Sequence, residues 1–415
     1  MRWLVCPICS GELQALSSKV SRSSTSDTDF FLLDQIAPMA HQDEIETQVI
    51  TGALTCDTCG VYYPIYNGVP RMLTYATEVS DIHRRENDAW IRKYLADFKL
   101  PDCSAPPGEK EVSRNFSTEW TNYEWSGESY WSGTPESVLG WMRFSLGTDR
   151  HSLESKLALE VGIGIGGIAD GLSRSEKCEI VGIDLSYSVD QATRYFRHNP
   201  LLHIVQASVF ALPFKPATFD VVYSQGVIHH THSAQAAFIH LAALPKNNGM
   251  LYVWVYSHED ESATLLRRTL MLLERTVRPL ISRLPGPAQT VALAPTVFPY
   301  IVYQNLLRRR QLGRETTTVY GWSEAIHAAR DRFTPRFASR HTYQEVTEWF
   351  KSQSYGNLEF LRDEPLPLGF PDSLRRCVGV RGFLQAQPRS THEGPCANQT
   401  DVKPQSSEGL DLVRH

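Results

Sequence analysis

A glycine-rich turn between a strand-like and a helix-like segment is the feature that most constrains how this chain can fold. Leu157 to Val161 has the length and composition of a short strand, and glycines follow at positions 162, 164, 166 and 167. Because glycine has no Cβ atom, a ligand can approach the backbone and the start of the next helix at such a turn. The pattern therefore predicts a β–α unit that binds a nucleoside cofactor.

An acidic residue ends the next predicted strand. Asp184 closes the segment Glu179 to Asp184 and follows Gly164 by twenty positions. A carboxylate at this place can accept hydrogen bonds from both ribose hydroxyls of a nucleoside. The glycines also satisfy Gly-x-Gly-x-x-Gly, the pattern of dinucleotide-binding dehydrogenases. These two features alone leave an NAD-dependent enzyme as a competing interpretation.

Strand-like and helix-like segments alternate through the central part of the chain. Short apolar runs of this kind are typical of strands that helices cover on both faces, so the alternation predicts an α/β fold with a parallel sheet. Further on, Thr342 and Glu345 form a Thr-x-x-Glu capping box that predicts the start of an amphipathic helix. The predicted strands are 157–161, 179–184, 203–206, 219–224, 250–256, 358–361 and 377–384, with helices at 167–173 and 189–198.

Two Cys-x-x-Cys pairs near the N-terminus predict a metal site. A pair of this spacing places two thiolates on one zinc ion, and two pairs complete a tetrahedral site. We prefer this interpretation to two independent redox or buried cysteine pairs. Four thiolates leave no open position for water, so the zinc would be structural. The predicted ligands are Cys6, Cys9, Cys56 and Cys59.

The residues around these cysteines carry a resemblance. The first pair stands in Cys-Pro-Ile-Cys-Ser-Gly-Glu-Leu and the second in Cys-Asp-Thr-Cys-Gly-Val-Tyr-Tyr-Pro-Ile-Tyr-Asn-Gly-Val-Pro. This setting resembles the zinc ribbon of the small methyltransferase-activator protein family. The polar stretch from Ser17 to Asp29 lies between the pairs and is predicted to be an insertion loop.

A second resemblance decides between the cofactor classes. Glu160 precedes the glycines, Ala211-Leu212-Pro213-Phe214 comes later, and Thr218 to Ser224 leads into Gly226 to His230. Together these segments resemble class I methyltransferases, which bind S-adenosylmethionine on a Rossmann-like, mostly parallel sheet with an antiparallel C-terminal strand. The resemblance implies that Glu160, Gly162, Gly164 and Gly166 form the methionine side of the site, that Asp184 holds the ribose and that the backbone near Gln225 meets the amino group.

Two positions depart from the pattern of these enzymes. Related sequences carry an acid beside the adenine, four residues before the leucine of Leu-Pro-Phe, where this chain has Ser208. A hydroxyl can still form a hydrogen bond with the adenine edge. The family's Lys-Pro-Gly-Gly turn is replaced by Lys246-Asn247-Asn248-Gly249 after Pro245. Asparagine tolerates positive φ, so we expect the turn to be kept.

Candidate catalytic residues follow the fourth predicted strand. His229 and His230 lie at the carboxyl edge, where α/β sheets bind ligands, and either could remove a proton from the acceptor. Hydrogen bonding to loop backbone is the alternative role, which we favour slightly for each residue taken alone. Phe116 and Trp120 resemble an aromatic segment that folds over the cofactor in a bacterial subgroup of these enzymes, although we favour interdomain packing for both.

Composition shifts suggest the domain organisation. The 415 residues are too many for one compact core, and the 262–338 segment, which contains Pro285, Pro287, Pro295 and Pro299, interrupts the α/β alternation. We interpret it as a lid packed on the core and, because of the prolines, do not expect a single continuous amphipathic helix. The expected parts are a zinc ribbon with looped insertion (1–75), a connecting region (76–150), a Rossmann-like core (151–261), the insertion (262–338), the rest of the core (339–390) and a disordered tail (391–415).

These features favour a methyltransferase acting on a small-molecule or metabolite acceptor. The net charge of -5 provides no global positive field for nucleic acid. An RNA methyltransferase that uses the ribbon to bind its substrate, and a non-catalytic methyltransferase-like partner module, are the alternatives. The N-terminus lacks the apolar core of a signal peptide and no apolar run reaches ~20 residues. We therefore expect a cytoplasmic protein without a transmembrane segment.

Overall fold

The computed structural model describes residues 2–23, 46–121, 134–258, 276–312, 321–365 and 377–385. The N-terminal part is a four-stranded antiparallel sheet of order β1-β2-β3-β4. Residues 17–23 pair with the second strand, so this part of the predicted insertion loop is instead strand, whereas residues 24–29 lie outside the described residues. The strands are β1 (Gln14–Ser23), β2 (Glu46–Cys56), β3 (Val61–Tyr66) and β4 (Val69–Pro70).

Within the described residues, four helices lie between this sheet and the next. The first helix begins at a capping box, in which the Thr77 side chain accepts from the Ser80 backbone and Ser80 Oγ accepts from the Thr77 backbone. A short break at Asn87 separates it from the second, and the Asn87 side chain donates to the carbonyl of His83. The helices are α1 (Glu78–Glu86), α2 (Asp88–Tyr94), α3 (Glu109–Thr121) and α4 (Pro135–Leu146).

A seven-stranded sheet forms the centre of the described chain. Its order is β10-β11-β9-β8-β5-β6-β7, and β11 runs antiparallel to its neighbours while the pairs from β9 to β7 are parallel. This confirms the predicted Rossmann-like architecture with an antiparallel C-terminal strand. The strands are β5 (Leu157–Val161), β6 (Glu179–Asp184), β7 (Leu202–Gln206), β8 (Phe219–Gln225), β9 (Pro245–Val255), β10 (Tyr355–Phe360) and β11 (Val378–Leu384).

Helices cover the two faces of this sheet, and separate apolar clusters fill the space on each side. The predicted capping box is present, since the Thr342 hydroxyl accepts from the Glu345 backbone and the Glu345 carboxylate accepts from the Thr342 backbone. Asn248 has a φ of 62°, the left-handed conformation that asparagine tolerates, and lies where the pairing of β9 with β8 is irregular between Pro245 and Met250. The helices are α5 (Gly167–Glu176), α6 (Ser188–Phe196), α7 (Ala234–Ala242), α8 (Gly286–Leu312), α9 (Trp322–Phe333) and α10 (Tyr343–Ser352).

The described part of the insertion includes two packed helices, α8 and α9, and a helical segment over residues 276–281 that packs with them. Helix α8 continues through Pro295 and Pro299, so these prolines do not end it, while the described insertion as a whole is more than one helix. The two prolines are four residues apart, so the backbone hydrogen bonds that they cannot donate are missing on one side of the helix. Leu293 and Val297 pack against α9 on another side. Among the helices of the described residues, none combines the length and apolar character needed to cross a membrane.

The N-terminal sheet docks on the β7 edge of the seven-stranded sheet. Met72 donates its backbone N–H to the Gln206 carbonyl (2.8 Å), and Val5 donates to the Pro213 carbonyl (3.0 Å). Arg71, 2% exposed, pairs with Asp190 at 2.5 Å. Both domains therefore share backbone hydrogen bonds, and the edge strand is covered rather than left free to pair with another chain.

Candidate functional site

The glycine turn after β5 is held in a conformation that side chains disfavour. Gly162 and Gly164 have φ values of 83° and 54°. A Cβ atom on Gly162 would lie 2.2 Å from a methyl group of Val227, so both its backbone angle and its surroundings require glycine. The turn leads directly into α5, whose first backbone N–H groups have no partner within the helix. This arrangement suits the close approach of a polar ligand.

Asp184 is fixed beside this turn at the carboxyl end of β6. One carboxylate oxygen accepts from the Gly164 N–H (3.0 Å), and the other accepts from the Ser186 N–H (2.8 Å) and hydroxyl (2.7 Å). Burial raises the pKa of Asp184, and these hydrogen bonds oppose the rise. The structure thus brings Gly164 and Asp184 into direct contact, as two of the predicted cofactor residues.

Glu160 is the penultimate residue of β5, two positions before Gly162, and is 4% exposed. The Tyr223 hydroxyl donates to one of its oxygens at 3.0 Å. Burial raises its pKa to about 8. A carboxyl group with this environment becomes ionised more readily when a cation binds nearby.

The remaining predicted cofactor residues lie at the same edge. The Gln225 side chain accepts from the Tyr252 hydroxyl (2.7 Å) at the end of β8. Gly166 caps the start of α5 with a φ of 85°. Ser208, 2% exposed, follows β7 and donates its hydroxyl to Glu109 of α3 at 2.6 Å. Nothing in the sequence around Glu109 indicated this contact.

Helix α3 lies across this edge of the sheet. The Trp120 ring packs on the turn, 3.1 Å from the position that a Cβ atom of Gly164 would take, and it also contacts Ile165. Phe116 meets the His230 ring edge-on, with centroids 5.2 Å apart. The two aromatics therefore pack on the glycine turn and on the histidine loop themselves.

His229 and His230 occupy a short 3-10 turn after β8, and both are buried. His230 Nδ1 contacts the Phe337 carbonyl at 2.9 Å, and its Nε2 is 3.7 Å from Asp331 of α9. The His229 ring stacks on Tyr256 (3.9 Å between centroids), and within the described residues neither of its nitrogens has a hydrogen-bond partner. Burial lowers the pKa of both imidazoles, so each is neutral near pH 7.

A second buried acid lies near the histidine loop, and sequence reasoning missed it. Glu119 of α3 is 2% exposed, and no hydrogen-bond donor in the described chain reaches its carboxylate. His327 of α9 approaches it with Nε2 3.4 Å from Oε1. Burial raises the pKa of Glu119 well above the usual range and lowers the pKa of His327 to about 4. A buried carboxyl group without hydrogen bonds is costly, which is typical of groups kept for a ligand.

The four predicted zinc ligands come together in the N-terminal sheet. Their sulfur atoms lie within 4.8 Å of one another, with 3.9 Å between Cys6 and Cys59 and 3.6 Å between Cys9 and Cys56. Zinc–sulfur bonds of about 2.3 Å place the sulfurs of a tetrahedron roughly 3.8 Å apart. The donor set and its spacing therefore fit a closed zinc site.

A separate surface cavity of about 280 Å³ lies at the opposite edge of the sheet. Arg150, Lys156 and Asp220 line it near the amino ends of β5 and β8. Ligands of open α/β sheets bind at the carboxyl ends of the strands. The glycine turn and the buried acids, rather than this cavity, therefore define the candidate site.

Comparison with known proteins agrees with this geometry. Residues 159–253, from β5 to β9, match the methyltransferase domain family. The chain therefore contains a methyltransferase domain over these residues. Residues 3–68 match the family of Trm112p-like proteins, so the four cysteines lie in an N-terminal domain of that family.

Similarity to individual proteins is more distant. The chain is 25% identical over 162 residues to a sterol 24-C-methyltransferase of Candida albicans, an alignment that covers 36% of this chain and less than half, 43%, of that enzyme. It is 36% identical over 86 residues to a tRNA U34 carboxymethyltransferase of Pseudoalteromonas atlantica, covering 20% and 26%. A complex of the Haloferax volcanii Trm112 methyltransferase activator with a putative methyltransferase aligns at 14% identity with a TM-score of 0.33, covering 61% of this chain and 98% of that one.

Proposed function

We propose that this chain is an S-adenosylmethionine-dependent methyltransferase that acts on a small-molecule acceptor, with a structural zinc ion in its N-terminal domain. The contact between Asp184 and the Gly164 backbone, within the matched methyltransferase domain, is the observation that carries the proposal. In this proposal residues 151–261 and 339–390 form the catalytic core and residues 262–338 form its cover.

The cofactor would be bound by the backbone of the turn and by buried acids. S-adenosylmethionine supplies a methyl group on a sulfonium, so the protein chiefly has to hold the acceptor in line with it. Glu160, Gly162 and Gly164 would surround the methionine part, Asp184 would hold the ribose, and the backbone at Gln225 would meet the amino group. The first backbone N–H groups of α5, after Gly166, would favour the negative carboxylate of the cofactor.

The acceptor would bind between the histidine loop and α9. His230 lies 3.7 Å from Asp331 of α9, and Glu119 lies 3.4 Å from His327 of the same helix. His230, Glu119 and His327 are all buried. An acceptor that carries a proton must lose it during methyl transfer, and a neutral histidine or a carboxylate can receive that proton. Such an enclosed, partly aromatic site suits a small molecule, and sterol methyltransferases are among the relatives.

A nucleic-acid acceptor is the second candidate, because one relative is a tRNA-modifying enzyme. Its main difficulty is the charge of -5, which does not favour a polyanion. Salt-dependent binding of tRNA to the purified protein would favour this candidate over a small-molecule acceptor.

Calorimetric titration tests the cofactor assignment. We expect S-adenosylmethionine and S-adenosylhomocysteine to bind with micromolar affinity and NAD not to bind. Asp184→Asn should weaken both by roughly 10- to 100-fold, because it removes a charged hydrogen-bond acceptor. The exposed Asp149→Asn, at the other edge of the sheet, is the matched control. Failure of both ligands to bind the wild-type protein would support a non-catalytic partner module instead.

A further inference from the structure

The adenine end of the proposed cofactor site lacks the acid that related sequences carry. Ser208 occupies that position, two residues after the end of β7. The backbone N–H of Ala207, the residue before it, donates to the Asp184 carbonyl at 3.0 Å. Ser208 is therefore one residue from a direct contact with the proposed ribose-binding residue.

A carboxylate reaches this position from another element. Glu109, the first residue of α3, accepts from the Ser208 hydroxyl at 2.6 Å and from the Tyr75 hydroxyl at 2.9 Å. It is only 5% exposed. Glu109 and Ser208 are 99 residues apart in the sequence, so they meet because of the tertiary structure and not because they are close in the chain.

The rest of α3 holds Glu109 beside the cofactor loop. The Ser113 hydroxyl donates to the Leu185 carbonyl at 3.3 Å, and the Tyr187 N–H donates to the Ser117 hydroxyl at 2.9 Å. Both partners follow Asp184 directly in the loop after β6. The helix is thus tied at two points to the loop that follows the proposed ribose-binding carboxylate.

The chemistry of the pair fits a hydrogen-bond acceptor. An ionised carboxylate has about four lone-pair positions, and Tyr75 and Ser208 use two of them. The Ser208 oxygen accepts from the Phe210 N–H at 3.1 Å. A hydroxyl oxygen has two lone pairs, so one remains to accept a further hydrogen bond. The 6-amino group of adenine is a donor and requires an acceptor of this kind.

We propose that Glu109 supplies, from α3, the carboxylate that is missing at position 208, and that Glu109 and Ser208 together accept a hydrogen bond from the 6-amino group of the cofactor's adenine. This inference rests on the proposed function. It makes α3 part of the nucleoside site and makes Glu109 the residue that distinguishes a 6-amino from a 6-oxo purine.

Titration with two nucleosides that differ only at this group tests the proposal. The ligands are S-adenosylhomocysteine and S-inosylhomocysteine, in which an oxo group replaces the 6-amino group. We expect the wild-type protein to prefer the adenosine compound by roughly 10- to 100-fold, as for a hydrogen bond to a charged group. Glu109→Gln should abolish most of this preference, since an amide can also donate to the oxo group.

A variant that moves the carboxylate to position 208 distinguishes adenine recognition by Glu109 from a role of Glu109 in packing α3. The double variant Glu109→Gln with Ser208→Asp places the acid where related sequences have it, and we expect it to recover the preference. Glu111→Gln, which changes a half-buried acid on the same helix that pairs with Arg336, is the control and should keep the wild-type preference. If Glu109→Gln does not fold, Ser208→Ala retains the carboxylate and should lower the preference by a smaller factor.

The outcomes separate this inference from the proposed function. Wild-type protein that binds neither nucleoside would overturn both. An unchanged preference in Glu109→Gln, or equal weakening of both ligands without recovery in the double variant, would overturn the inference alone and assign Glu109 to the packing of α3.

Discussion

Glu160 is a carboxylic acid whose surroundings make its charge unfavourable. It is 4% exposed, and burial raises its pKa to about 8 from a model-compound value of 4.5. In the absence of a ligand it is therefore largely protonated at pH 7. The proposed cofactor carries a sulfonium and an ammonium, and a nearby cation favours the ionised form of a carboxyl group.

Cofactor affinity should consequently depend on pH through this one residue. Because binding lowers the pKa of Glu160, it releases a proton, and the affinity for S-adenosylmethionine should rise between pH 6 and about 8, by at most about tenfold per pH unit. Above this range the affinity should level off. Titrations in buffers of different ionisation enthalpy would measure the proton release directly.

Glu160→Gln is the matched variant for this prediction. It keeps the size of the side chain and removes its ionisation, so its affinity should be lower at pH 8 and nearly constant between pH 6 and 8. A wild-type affinity that is independent of pH over this interval would contradict the assignment of Glu160 to the methionine side of the site.

At the scale of elements, α3 and α9 meet over the carboxyl edge of the sheet and enclose acidic and basic side chains. Glu119 and His327 come from these two helices, and Asp331 of α9 accepts from the Tyr256 hydroxyl at 2.7 Å. Burial disfavours the charged forms of both Glu119 and His327. The contact between the helices is therefore a polar one that stabilises the fold little.

Stability measurements can distinguish a ligand-binding acid from a stabilising ion pair. The pKa of Glu119 is raised in the folded state, so its ionisation lowers the free energy of unfolding as the pH rises above about 4.5. We expect Glu119→Gln to be more stable than wild type at pH 8, by about 1–2 kcal/mol, and less different at pH 5. Denaturant unfolding at both values measures this.

The exposed Glu348→Gln on α10 is the control and should change the stability by less than about 0.5 kcal/mol. A loss of stability in Glu119→Gln at pH 8 would instead show that the carboxylate and His327 form a stabilising pair. In that case the acceptor site proposed between α3 and α9 would lose its main support.

At the scale of the whole molecule, the N-terminal domain and the methyltransferase sheet share one apolar core. Cys6, Leu54 and Tyr63 of the first belong to the same buried cluster as Leu159 and Phe214 of the second. The backbone bonds from Val5 and Met72 and the ion pair of Arg71 with Asp190 add to this contact. Unfolding of either domain should therefore destabilise the other.

Removal of zinc should lower the stability of the entire chain. Structural zinc sites contribute directly to folding, so a metal-free protein should unfold about 10 °C or more below the zinc-bound form, in one transition that includes the methyltransferase domain. Differential scanning calorimetry with metal analysis measures both quantities. Cys59→Ser should lose zinc, and Cys103→Ser, outside the cluster, should retain it.

Two separate transitions, with the larger one unaffected by a chelator, would contradict this coupling. They would show that the N-terminal domain covers the β7 edge without stabilising it.

Local sequence determined much of the fold and part of the site. Three features depend on residues within a few positions of one another, so the sequence predicts them. They are the glycine turn, Asp184 at the end of β6 and the capping box of Thr342 and Glu345. The paired cysteines were equally clear, because each knuckle is a local turn. Their meeting in one cluster confirms what the repeated spacing predicted.

The tertiary structure alone decided which distant side chains meet. Glu109 joins Ser208 across 99 residues, and Glu119 of α3 meets His327 of the insertion. No periodicity or spacing marks such pairs, because they depend on how a helix docks on the edge of a sheet rather than on the conformation of either segment. Helix α8 likewise continues through Pro295 and Pro299 because packing on α9 supports it. Backbone conformation is set by near neighbours, whereas the composition of a binding site is set by packing between elements that are far apart in the chain.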